Sequence, residues 1–148
     1  MGIDGTKLYV INGDITSLTR STDKKRIWDY INTFRINNHI SLQHQHGNAK
    51  KLAGPLHLEC IFYLPFPGTD TKGKIYKNRY HLTKPYLSGL LLLVEAIGVD
   101  IIYRSTAHIA SVQTKKLYDN DNPRVEFRLF EIKVERSNDG QEKDGENS

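Results

Sequence analysis

The chain has 148 residues, 21 lysines and arginines, 17 aspartates and glutamates, 38% hydrophobic residues and one cysteine. This length suits one domain whose core buries well over half of the unfolded surface, and no apolar run approaches the roughly 18 residues of a membrane span. A lone cysteine excludes an intrachain disulfide and a multi-cysteine zinc site, so Cys60, in an apolar stretch, reads as a small buried hydrophobe. The net charge of +4 is unevenly spread: residues 135–148 hold five acids against two bases. The body is therefore basic, suited to an anionic partner, and the tail is acidic and almost free of apolar residues. The expected organisation is one α+β domain over residues 1–136 followed by a disordered acidic tail at 137–148. The amino end carries no basic stretch followed by a long apolar one, so an intracellular location (cytoplasm, nucleoid or virion) is expected rather than secretion.

In chain order, "KLYVINGDI" reads as a short first strand ended by Asn12-Gly13. Ser21 or Thr22 suits a helix cap, and Ile27, Trp28, Ile31 and Phe34 recur at helical spacing, which predicts a helix over about 22–45. His39, His44 and His46 near its end have no carboxylate or cysteine at a metal-binding spacing, so they are expected to be exposed or hydrogen-bonded. "GPLHLECIFYLP" alternates strictly: Leu56, Leu58, Cys60, Phe62 and Leu64 on one face, His57, Glu59, Ile61 and Tyr63 on the other. Pro65, Pro67 and Gly68 end this strand, and a long loop runs to residue 85.

That loop carries Lys72, Lys74, Lys77, Arg79 and Lys84 with Tyr76 and Tyr80 interleaved, and no acid follows Asp70. Cations alternating with aromatic rings suit phosphate neutralisation with base or sugar stacking, and a solvated loop accommodates the same residues equally well. A helix over about 86–98 follows, built on the apolar run Leu90–Val94 and stopped at Gly98. Two further alternating stretches, "HIASVQTKKLY" and "RVEFRLFEIKV", are joined by Asp119–Pro123 and predict an antiparallel hairpin. The order is β-α-β-loop-α-β-β, an α+β arrangement with helices on one face of a mixed sheet.

The fragments Lys84-Pro85-Tyr86-Leu87-Ser88-Gly89-Leu90, Glu95-Ala96-Ile97, Tyr103-Arg104-Ser105-Thr106, Lys116-Leu117-Tyr118 and Pro123-Arg124-Val125-Glu126 occur in an order that resembles the RusA family of Holliday junction resolvases, over roughly residues 54–134. The resemblance implies the RusA-like fold, a two-fold homodimer and contact with branched or duplex DNA through Lys72, Lys74, Lys77, Arg79, Lys84, Lys115, Lys116 and Arg124. It also implies that catalysis is lost. In the family, acids of a K-P-D-x-D-N-L-x-K motif and a later acidic pair gather magnesium, and a lysine assists. Here those acid positions fall on Tyr86, Ser88, Ser105 and Thr106, the asparagine on Gly89 and the lysine on Leu92. Hydroxyls without carboxylates offset a divalent ion's lost hydration poorly, so no cofactor is expected.

Three functions follow as expectations. The first is a catalytically inactive RusA-like protein that binds DNA or serves as a structural component. The second is a protein interaction subunit of a larger assembly, with Leu92 on a face covered by protein. The third is an active magnesium-dependent junction endonuclease with a rebuilt site drawn from Asp70, Glu95, Asp100, His81 and His108. Association with a membrane is not expected.

Overall fold

The computed structural model describes residues 6–15, 24–68 and 74–133. The segment 137–148, Lys72, Asp70, Ser21 and Thr22 lie outside that description, as does the side chain of Ile27. Among the described residues six regular elements follow one another: β1 (Tyr9–Asn12), α1 (Lys24–His46), β2 (Leu56–Leu64), α2 (Leu87–Ile97), β3 (Ile109–Tyr118) and β4 (Arg124–Glu131). A short 3₁₀ turn, Thr106–His108, leads into β3.

The strict alternation of β2 decides its position. Leu56, Leu58, Cys60, Phe62 and Leu64 are all buried, and both edges of the strand are paired, to β4 antiparallel and to β3 parallel. The sheet order is β1-β4-β2-β3, a mixed sheet in an α+β fold. The expected β3–β4 hairpin is therefore not formed: the two strands flank β2 instead of pairing with each other. A short turn between two alternating runs does not encode whether the strands are adjacent or one lane apart. Two lanes are roughly 10 Å, a distance that Asp119–Pro123 spans easily. The crossing is fixed where the Asp119 N–H donates to the Leu64 carbonyl at 2.7 Å, at the end of the skipped strand.

Ile31, Phe34 and Leu42 of α1 and Leu90, Leu93, Val94 and Ile97 of α2 share one core with the buried rows of the sheet, so both helices cover the same face. Trp28 departs from the expected apolar stripe and is 68% exposed. Gly98 ends α2 in ordinary right-handed geometry (φ −82°). Its value lies elsewhere: a Cβ there would stand 2.6 Å from the ring of buried Tyr103, so the close approach of the chain demands glycine.

The outer edge of β1 is covered by a side chain. Val10 donates its N–H to Gln45 Oε1 at 2.8 Å and accepts from Gln45 Nε2 at 2.9 Å, so the amide of α1's last turn substitutes for a neighbouring strand. Nearby, His46 is buried and bonded to Tyr9 Oη at 2.8 Å, while His39 and His44 are exposed, so each is exposed or hydrogen-bonded as expected.

Candidate nucleic-acid interface

The far edge of the sheet is partly covered by the basic loop. Tyr118 N–H donates to the Arg79 carbonyl at 2.9 Å, Asn78 N–H to the Tyr118 carbonyl at 2.7 Å and His81 N–H to the Lys116 carbonyl at 2.9 Å. Further along, Leu82 N–H donates to Tyr118 Oη at 3.1 Å, and Lys116 Nζ donates to the carbonyls of Thr83 and Pro85 at 2.9 and 2.8 Å. The loop backbone from 78 to 85 is thus bound to β3 at successive points and is a fixed part of the fold. His81 and Pro85 point into the protein, whereas Tyr80, Leu82, Thr83, Lys84 and Tyr86 face outward.

The expected DNA-contacting cations fall into three groups. Lys74, Arg79 and Lys84 are exposed on the loop, with the Arg79 guanidinium 5.6 Å from the Tyr76 ring centroid and Lys84 Nζ 5.9 Å from that of Tyr86. Lys77 and Arg124 are bound up with acids. Lys77 Nζ lies 3.2 Å from Asp121 Oδ2 and 4.0 Å from Asp119 Oδ1, and Arg124 reaches Asp119 at 3.0 Å and Glu126 at 2.8 Å while its guanidinium stacks 3.7 Å from the Tyr63 centroid. Two cations among three carboxylates leave no positive excess there. Lys115 and Lys116 part company because strand neighbours point to opposite faces. Lys116 pairs in register with buried Phe62 and is tied to the loop carbonyls, while Lys115 pairs with Ile61 on the sheet's other face.

Burial lowers the pKa of Lys116, and burial then the Lys116 charge hold His81 down at about 4. For Asp119, burial works to raise the carboxyl pKa. The backbone N–H of Asn122, the Arg124 guanidinium, the Asp121 N–H and the Lys77 charge together outweigh it and keep the net shift downward.

The positions where the resemblance places metal ligands hold no cage. Tyr86 and Ser88 sit at the entrance of α2, whereas Thr106 Oγ1 lies 3.4 Å from the Glu95 carbonyl in the helix's last turns, about 10 Å further along the axis. Ser105 Oγ already accepts from Ala107 N–H at 3.1 Å, capping the 3₁₀ turn. Among the described residues no three His, Cys, Asp or Glu side chains are grouped to hold a metal ion. A hydroxyl set without carboxylate oxygen does not fit magnesium. Of the alternative acids, Asp100 is exposed at φ 68°, and the carboxyl of Glu95 is raised by burial. Leu92 is 47% exposed, so the described residues leave it largely uncovered.

None of the protein-family models and none of the curated sequences compared with the chain matches it. No helix among the described residues is long and apolar enough to cross a membrane.

Sequence reasoning did not find the roles of Lys116, Gln45 and Asp119. The signal for Asp119 was readable: Asp two and three residues before amides in "DNDN" is the pattern of an aspartate that accepts from its own turn, as Asp119 Oδ1 does from Asp121 and Asn122. Lys116 and Gln45 act across 31 to 35 residues of chain, where local patterns carry no information.

Proposed function

We propose that the chain is a nucleic-acid-binding protein on a RusA-like frame that does not cleave DNA with a divalent metal. The observation that carries the reading is the loop over residues 74–86: exposed Lys74, Arg79 and Lys84, no acid within the segment, and a backbone fastened to β3. A cation on fixed backbone meets a phosphate at smaller entropic cost than one on a wandering loop. The presence of Tyr86, Ser88, Ser105, Thr106 and Leu92 at the family's acid and lysine positions supports the absence of metal-dependent scission, because nothing anionic stands there.

The test is an anisotropy titration against a linear duplex and a synthetic four-way junction at rising salt, with cleavage assayed alongside in magnesium and manganese. Replacing Lys74, Arg79 and Lys84 with glutamine should weaken binding and reduce the slope of log affinity against log salt by about 0.9 for each phosphate no longer neutralised. Binding that ignores both salt and these replacements would reject the reading. Junction cleavage abolished by Glu95→Gln would instead restore the rebuilt endonuclease.

A second reading, an interaction subunit of a larger assembly, is favoured by one feature of α1. Trp28, Ile36 and Ile40 are each at least two-thirds exposed on that helix. Recovery of a stoichiometric protein partner together with absence of DNA affinity at low salt would place it first.

A further inference from the structure

We infer that Tyr80 and Tyr86 form a stacking platform for single-stranded DNA, each ring taking an unpaired base while Lys84 and Arg79 on the same loop meet its phosphates. The inference rests on the nucleic-acid reading of this loop and narrows it from duplex to single strand.

The three tyrosines of the loop are not equivalent. Tyr76 is engaged within the protein: its ring lies parallel to Phe66 at 5.2 Å with an interplanar angle of 5°, tilts against Tyr118 at 6.0 Å and has Arg79 beside it. Tyr80 is 65% exposed and, among the described residues, has no aromatic or cationic neighbour. Tyr86 is 67% exposed, caps the N-terminus of α2 through its backbone alone and has Lys84 as its only cationic or aromatic ring neighbour among the described residues.

Exposed aromatic residues are unremarkable when the chain that bears them is free to collapse. Here it is not. His81, between the two rings in sequence, is buried against Tyr118 at 4.6 Å, and the backbone is held before it by the Asn78 and Arg79 hydrogen bonds to Tyr118 and after it by those of Leu82, Thr83 and Pro85. The rings are kept in solvent by a scaffold that prevents them from folding back, which is the arrangement that lowers the ordering cost of a stacked ligand.

The charge on the same loop, with Lys84 over the Tyr86 ring and Arg79 exposed next to Tyr80 in the chain, selects the occupant. An apolar or acidic-free peptide has no use for Lys84 and Arg79, whereas a polyanion with flat, apolar faces uses both cation and ring. A duplex satisfies only the cations, since its bases already stack on one another. A single strand offers the faces as well.

The experiment uses the full chain with a fluorescent oligodeoxythymidine and with a mixed-sequence duplex of equal length, both at low salt. Tyr80→Ala and Tyr86→Ala should each weaken oligodeoxythymidine binding about fivefold or more and leave duplex binding within about twofold, with Phe at either position restoring the single-strand affinity. Both side chains are exposed, and unchanged thermal melting of the variants separates this effect from misfolding. Wild-type affinity of the alanine variants for oligodeoxythymidine, or equal losses on single strand and duplex, overturns the platform. If the lysine and arginine replacements weaken binding while the tyrosine replacements do not, the nucleic-acid reading stands and the platform falls. Absence of affinity for either DNA removes both.

Discussion

His81 shows how one buried side chain makes the fold sensitive to pH. Its imidazole is held neutral by burial and by the neighbouring Lys116 ammonium, with its pKa at about 4, whereas in the unfolded chain it returns to about 6.5. Between those values the unfolded state binds the extra proton, so stability is complete above pH 6.5 and declines as pH falls towards 4, by at most about 1.4 kcal/mol per pH unit from this group. Urea titrations at pH 7 and pH 5 should show that decline, and His81→Phe should flatten it. An unchanged pH dependence in the variant would assign the effect elsewhere. Lys115 and Lys116 make the complementary point. Side by side in the sequence and equally basic, they are separated by strand alternation, so that one lies on the sheet's other face and the other fastens the loop.

Among the elements, α2 is the one whose interior explains its boundaries. Leu90, Leu93, Val94 and Ile97 recur at helical spacing and are buried; the apolar run announced a core helix but not which of its positions face inward. The end at Gly98 was legible too, but for a reason the sequence does not state. The glycine is required by the Tyr103 ring, whose hydroxyl donates to the Glu95 carbonyl and so clamps the helix end. Gly98→Ala should therefore destabilise the fold by about 1–3 kcal/mol in urea denaturation, the usual cost of forcing a methyl group against a packed side chain. A loss below about 0.5 kcal/mol would mean that the ring moves aside freely. The first strand is a weaker element, four residues long, and depends on Gln45 for its outer hydrogen bonds. Gln45→Ala leaves Val10 N–H and C=O to solvent and should cost about 1–2 kcal/mol. Gln45→Glu keeps an acceptor for the Val10 N–H but loses the bonds that Nε2 donates to the Val10 carbonyl and to Ser41 Oγ and sets two acceptor oxygens against each other, so it should cost at least as much.

Across the whole molecule, protection should follow the sheet order and not the chain order. β4 and β2 are interior lanes paired on both sides, so their amides should exchange slowest with deuterium. Val112 and Thr114 lie on the part of β3 that the loop does not reach and should exchange fastest within that strand. Slow exchange confined to β3 and β4 together would indicate the hairpin that the alternating patterns suggested. The amino-acid sequence determined the existence and type of the four strands and two helices, though not of the 3₁₀ turn, because hydrophobic period is a local property that survives without knowledge of partners. It likewise determined the basic character of the loop and the absence of acids where the RusA resemblance asks for them. What the tertiary structure decided was adjacency: β2 between β3 and β4, Gln45 on β1, Lys116 under the loop, and Lys77 and Arg124 absorbed by Asp119, Asp121 and Glu126. Those pairings join residues distant in the chain, and the free energy that selects them depends on which surfaces are already buried when they meet, which a linear pattern does not contain.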